Sequence, residues 1–134
     1  MPSIGQIEGL DLKSATKLRK AGVRTTEGLL RVAATKRQRL ELAERAGVDA
    51  DALLGWVQRA DLMRIKGIGG EYADLLDAVG VSTIRALRRR NPQALTAAIA
   101  EINDRKRIVR RLPTDTMVVQ WVALAKETEP LVGG

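Results

Sequence analysis

The residues of this chain best placed for chemistry all act on anions. One set is the run Lys66-Gly-Ile-Gly-Gly70. Two glycines around one apolar residue let a backbone turn through conformations that other residues resist. They also leave N–H groups bare beside a helix N-terminus, where unpaired donors and the helix dipole both favour a phosphate. The other set is basic. Residues 13–45 carry ten basic and three acidic groups and residues 85–111 carry nine and two, so each block is +7 in a chain whose net charge is +7. Blocks of this kind suit a polyanion, because neutralising phosphates releases counterions. Arginine suits it further, since its planar fork donates two hydrogen bonds at once. In the second block Arg85, Arg88, Arg89 and Arg90 end a short helix, and Arg105, Lys106, Arg107, Arg110 and Arg111 follow a loop. In the first block Lys13, Lys17, Lys20 and Arg24 have near-helical spacing, and Lys36, Arg37 and Arg39 form a further cluster. If both blocks face one way they can follow two stretches of a nucleic-acid backbone. Solvated helix faces on a basic protein are the other reading.

Other chemistries are closed off by composition. Cysteine and histidine are absent. That excludes disulfides, thiolate or imidazole metal sites, and every nucleophile that depends on a histidine. An enzyme would have to work with carboxylates and lysine, and none is expected. The first residues are neither basic nor followed by a long apolar run, so the expectation is a cytoplasmic protein without a signal peptide or a membrane span.

The elements that must position these residues are helices. There is no Phe, one Tyr and two Trp in 134 residues, so the core must be Leu, Val, Ile and Ala. No β-branched run is bounded by turn signals, which makes the fold class all-α. The chain also repeats itself. Ile7, Gly9, Leu10, Ala15, Leu18, Gly22, Val23, Thr25 and Leu29 recur at an offset of 58 as Ile65, Gly67, Ile68, Ala73, Leu76, Gly80, Val81, Thr83 and Leu87. Leu53, Trp56, Val57 and Ala60 recur at an offset of 65 as Val118, Trp121, Val122 and Ala125. One compact domain of two repeats is expected, near 7–63 and 65–127, with a flexible tail over 128–134. Each repeat is predicted to hold a helix near 13–21 or 70–79 that ends at Gly22 or Gly80. A short helix capped by Thr25 or Ser82 follows, then one near 36–46 or 92–103, the latter opened by Asn91 and Pro92. The last helix of each repeat carries a Trp, expected in the core. That of repeat one runs into Asp61–Ile65 and forms the first arm of the second glycine turn. Only six residues precede Ile7, so the closing helix near 116–127, of the same chain or a neighbouring one, is expected to supply the missing arm of the first turn.

Helix, glycine turn, helix, with Lys66-Gly-Ile-Gly69 at the turn, resembles the helix-hairpin-helix motif of DNA repair, recombination and replication proteins. The whole arrangement resembles tandem helix-hairpin-helix proteins, a duplicated (SAM-like) bundle of short helices. More closely it resembles the bacterial family catalogued as domain of unknown function 4332. That likeness runs from Ile7 to about Glu127. Its most specific parts are Trp56-Val57, Ala60-Asp61-Leu62, Ile65, Gly67-Ile68-Gly69, Tyr72-Ala73, Gly80-Val81 and Asn91-Pro92. The helix-hairpin-helix resemblance implies sequence-independent binding to the backbone of double-stranded DNA. It makes the N–H groups from Gly67 through Ile68 and Gly69 to Gly70 the phosphate donors, and the carbonyls of Ile65 and Gly67 able to hold a monovalent cation. In the first turn Glu8, Asp11 and Leu12 stand where Lys66, Gly69 and Gly70 stand in the second. A carboxylate there repels a phosphate and can cap the following helix itself. Some proteins with this motif are glycosylases that use an Asp beyond the hairpin, but Asp74 and Asp77 fall within the second hairpin helix, too close to match. The alternative is a protein-interaction or dimerisation module in which the hairpins are only scaffold.

Overall fold

The computed structural model describes residues 2–133; Met1 and Gly134, the last residue of the expected tail, lie outside the described residues. Those residues are all-α, with eight α-helices, one short 3-10 turn and one isolated bridge between Ser3 and Thr25. The helices are α1 (Leu12–Lys20), α2 (Thr26–Ala33), α3 (Lys36–Ala46), α4 (Ala50–Leu62), α5 (Gly70–Ala78), α6 (Ile84–Arg88), α7 (Pro92–Lys106) and α8 (Asp115–Glu127). None is long and apolar enough to cross a membrane. The chain divides into two compact units, residues 2–61 with 131–133, and residues 62–130.

In the first unit α2 packs on α3, and α1 packs on α3 and on the 3-10 turn Ile4–Gln6. Its buried apolar side chains are aliphatic apart from Trp56, as the composition requires, and Thr26, Arg39 and Asp61 are buried beside them; Ile4, Leu18, Leu29, Ala33, Leu53 and Val57 are all fully enclosed. In the second unit α8 packs on α6 and α7, and α5 on α7. Leu62, Leu75, Leu76, Ile84, Leu87, Leu95, Val118 and Ala125 form the centre of its core.

The same order of elements occurs in each unit. The helix after the glycine turn spans nine residues in both, α1 and α5, and the Trp-bearing helix spans thirteen, α4 and α8. Gly22 and Gly80 adopt positive φ at the ends of α1 and α5, where the Val23 and Val81 N–H groups reach back to Leu18 and Leu76. That is a left-handed helix stop which glycine enters without strain.

Four expectations change. The arm of the first turn is supplied by Ile4–Gln6, not by the closing helix: the Ile7 N–H donates to the Ile4 carbonyl as that of Ile65 does to Leu62, and Ile4 is fully buried like Leu62. One capped 3-10 turn suffices because Ser3 accepts from the Gly5 N–H. Helix α8 stays in the second unit. Thr83, not Ser82, caps α6, because the Ser82 hydroxyl donates to Asp77 at 2.7 Å. Helix α7 runs to Lys106 rather than 103, with Arg107 beyond it in the left-handed region at φ 52°. Basic residues in a last turn favour this extension by complementing the helix dipole.

The expected flexible tail makes specific contacts. Arg64 donates to the Glu129 carbonyl, and the Leu131 N–H donates to the buried Asp61 carboxylate at 3.1 Å. The Gly133 N–H donates to Ala34, and its carbonyl accepts from Arg39 at 2.6 Å.

Candidate nucleic-acid interface

A helix leaves its first N–H groups without partners, and a side-chain oxygen at the N-cap normally takes the third. Of the eight α-helices among the described residues, seven are closed this way, by Asp11, Thr25, Thr35, Asp49, Thr83, Asn91 and Thr114. Helix α5 is the exception. Its N-cap is Gly69, which has no side chain to offer, and the N–H groups of Gly69, Gly70, Glu71 and Tyr72 have no acceptor among the described residues. The contrast with α1 is direct, since Asp11 stands at the equivalent position and accepts from the Ser14 N–H at 3.0 Å. Those hydrogen bonds from Ser14 hold the Asp11 carboxyl below its ordinary range.

The second turn does not present all of its expected donors. Ile68 is buried in the core, and its N–H is taken by the Ile65 carbonyl at 3.0 Å. The usable donors are therefore Gly69 and Gly70 and the two that follow. Gly67 has φ +93°, and a Cβ added to it would lie 2.9 Å from Nε1 of Trp121. A glycine is needed there for packing alone. A cation at this turn would have to share the Ile65 carbonyl already used by Ile68. Lys66 is exposed and has no partner among the described residues.

The basic residues separate into those spent on the fold and those presented to solvent. Arg88 is half-buried; its Nε donates to Ala125 and its Nη2 to Thr128 at 2.7 Å, so it satisfies carbonyls at the end of α8. It is removed from the expected phosphate contacts. Lys17 likewise donates from Nζ to the Gly47 carbonyl beyond α3, and Arg90 is half-buried, with Nη1 3.4 Å from the Val79 carbonyl. Arg39, beyond these, is 4% exposed and donates to Ala33, Ala34 and Gly133. Burial pushes its guanidinium below the usual arginine range, though an arginine keeps its charge in proteins. Arg37 pairs with Glu41 on the surface of α3. Free helix carbonyls accept from the same cations that phosphates attract, which is why spacing alone does not separate the two uses.

In the second unit the side chains of Lys66, Arg85, Arg89, Arg105, Lys106, Arg107, Arg110 and Lys126 are exposed with no hydrogen bond or ion pair among the described residues. Arg111 is exposed too, and its carbonyl accepts from the Tyr72 hydroxyl at 3.0 Å. The 105–111 stretch is not a loose loop. Asn103 accepts from the Val109 N–H at 2.9 Å and donates to its carbonyl at 3.1 Å, and the Val109 side chain is buried. This clamp fixes the bend that presents Arg105, Lys106, Arg107, Arg110 and Arg111. Asn103 was not anticipated; its position four residues before a left-handed cap is the only signal it left. In the first unit Lys13, Lys20, Arg24 and Lys36 are exposed without partners among the described residues.

Both tryptophans pack inward. Trp56 donates from Nε1 to the Gly9 carbonyl at 3.3 Å, and Trp121 stacks at a tilt on Tyr72, with ring centroids 5.3 Å apart.

Comparison with protein families places the chain. Residues 8–128 match the family described as Domain of unknown function (DUF4332), and the chain belongs to it. No curated protein and no solved structure matches.

Proposed function

We propose that this DUF4332 chain is a non-catalytic module that binds duplex nucleic acid through backbone phosphates, without reading sequence. The observation that carries the reading is the clamped bend 105–111. Five exposed cations sit on a segment held by Asn103 and by the buried Val109, and none pairs with a carboxylate among the described residues. A protein that only needed solubility would gain little by fixing such a segment, and like charges held close repel one another. The open N-terminus of α5 adds backbone donors of the kind a phosphate takes. In this reading the turn around Gly67 and its flanking helices act as a helix-hairpin-helix, with Gly69, Gly70 and Lys66 on one phosphate and Arg85 and Arg89 on others. The first unit's turn, closed by Asp11, serves the fold.

The test is a fluorescence-anisotropy titration of a labelled duplex over a salt series. If the five 105–111 cations, Lys66, Arg85 and Arg89 each neutralise one phosphate, log K falls against log salt with a slope of about −7. Reversing Arg105, Arg107, Arg110 and Arg111 to Glu is expected to abolish binding. Affinity independent of salt, or no binding at low salt, refutes the proposal.

One observation favours a second reading, an interaction or self-association module. Leu12 is 79% exposed at the first turn and Leu40 is 53% exposed on α3, both apolar side chains in the first unit. Sedimentation of the wild type against Leu12→Lys and Leu40→Lys variants separates the two. A self-associating protein that becomes monomeric on these changes, while ignoring the arginine changes, supports the rival.

A further inference from the structure

A cleft of about 460 Å³ opens in the second unit between the glycine turn and α8, lined by Lys66, Gly67, Met117, Gln120, Trp121, Ala123 and Leu124. Its size is within the range of small-ligand sites. Trp121 is 1% exposed, yet its indole N–H has no acceptor among the described residues. No fully buried side-chain nitrogen or oxygen among those residues lacks a partner. The sliver of Trp121 left exposed therefore includes its N–H, and the cleft is the surface it reaches. An indole N–H donates only, and the equivalent Trp56 meets that need with the Gly9 carbonyl at 3.3 Å. In the second unit the ring edge lies over Gly67 instead, and its donor is left to the cleft.

The lining chemistry narrows the ligand. Lys66 is exposed without a partner, and no carboxylate lines the cleft. Met117, Ala123 and Leu124 supply an apolar wall, and Gln120 can donate beside it. We propose that this cleft binds a small organic carboxylate with an apolar body, one oxygen accepting from the Trp121 indole N–H and the other facing the Lys66 ammonium, with the body against Met117 and Leu124. One lysine and one neutral donor suit a monoanion. A phosphate dianion calls for more charge or an arginine fork. The site is separate from the arginine bend; it shares Lys66 with the proposed phosphate contact of the glycine turn but does not rest on the nucleic-acid reading.

The experiment is a titration of ¹⁵N-labelled protein with sodium octanoate, following the two indole N–H resonances, assigned with a Trp56→Phe variant. No nucleic acid is present. Octanoate is expected to move the Trp121 resonance saturably and leave that of Trp56 in place. Octanol and inorganic phosphate, each carrying half of the required chemistry, are expected to move it little. Lys66→Gln, a surface change, is expected to weaken octanoate by about tenfold. The proposal is overturned if the Trp121 resonance does not move at millimolar octanoate. It is also overturned if octanol or phosphate moves it as readily, or if Lys66→Gln leaves the affinity unchanged.

Discussion

Gly67 and Gly9 occupy equivalent places in the two units, and replacing each with alanine isolates what the second glycine is for. Both hold positive φ, +93° and +86°. The backbone term is thus shared, about 1–2 kcal/mol for an L-residue in the left-handed region. The surroundings differ. Nothing lies within 4 Å of a Cβ at Gly9, whereas one at Gly67 meets Trp121 Nε1 at 2.9 Å and Cδ1 at 3.7 Å. The indole has little room to yield, being 1% exposed and packed on Tyr72. Forcing a methyl group into such packing costs about 1–3 kcal/mol more. The expected losses are about 1–2 kcal/mol for Gly9→Ala and about 2–5 kcal/mol for Gly67→Ala. Urea unfolding followed by far-UV circular dichroism, with midpoints compared at a common slope, reads the difference. Equal losses would refute the packing argument. They would return Gly67 to the role its motif suggests, a residue kept bare for an approaching phosphate.

Three further outcomes follow from the side chains spent on the fold. Arg88→Ala leaves the Ala125 and Thr128 carbonyls without their donor and is expected to cost about 1.5–3 kcal/mol. Its exposed neighbour Arg89→Ala is expected to change stability by less than about 0.5 kcal/mol. Arg39→Met removes hydrogen bonds to Ala33, Ala34 and Gly133, and is expected to destabilise the chain and speed hydrogen exchange at the Gly133 amide. Asp11 has its carboxyl lowered from 3.8 by Ser14 in the folded chain. The folded form therefore holds the ionised cap more tightly than the unfolded one. Its contribution is present above 3.8 and is lost as pH falls through the lower folded value. A midpoint for the Ser14 amide shift at or above 3.8 would contradict this.

How much of this was legible in the sequence depends on what each residue answers to. Helix ends were readable where one side chain settles them: Asn91 with Pro92 at α7, Asp11 at α1 and Gly22 after α1 all stand as local chemistry places them. Thr83 and Ser82 are adjacent hydroxyls, and which one caps was decided by Asp77, five residues upstream and a turn away in space. The basic residues were the least legible. Arg88 and Arg89 are neighbours of one type; a helix turn sends one to the end of α8 and the other to solvent. Arg39 reaches Gly133 across 94 positions, a separation at which no pattern in the sequence speaks. Charge counting found the blocks but overcounted the side chains open to a ligand, because carbonyls at helix ends draw the same residues that phosphates do.

The open end of α5 admits a decisive substitution. Every other α-helix among the described residues closes its N-terminus with a side-chain oxygen. Gly69 already has the extended backbone of an N-cap, φ −93° and ψ −170°, and nothing lies within 4 Å of an added Cβ. Gly69→Asp can therefore take the Tyr72 N–H as Asp11 takes that of Ser14, and is expected to stabilise the protein by about 0.5–1 kcal/mol. The chain forgoes that gain with a residue one substitution away. If the opening is kept for a phosphate, the more stable variant binds duplex more weakly at every salt concentration. Its salt slope also becomes shallower by about one contact, or roughly 0.9. Higher stability with unchanged affinity and slope would mean that the terminus is open only because the turn into α5 follows Gly67 under Trp121. The interface would then consist of the arginines alone.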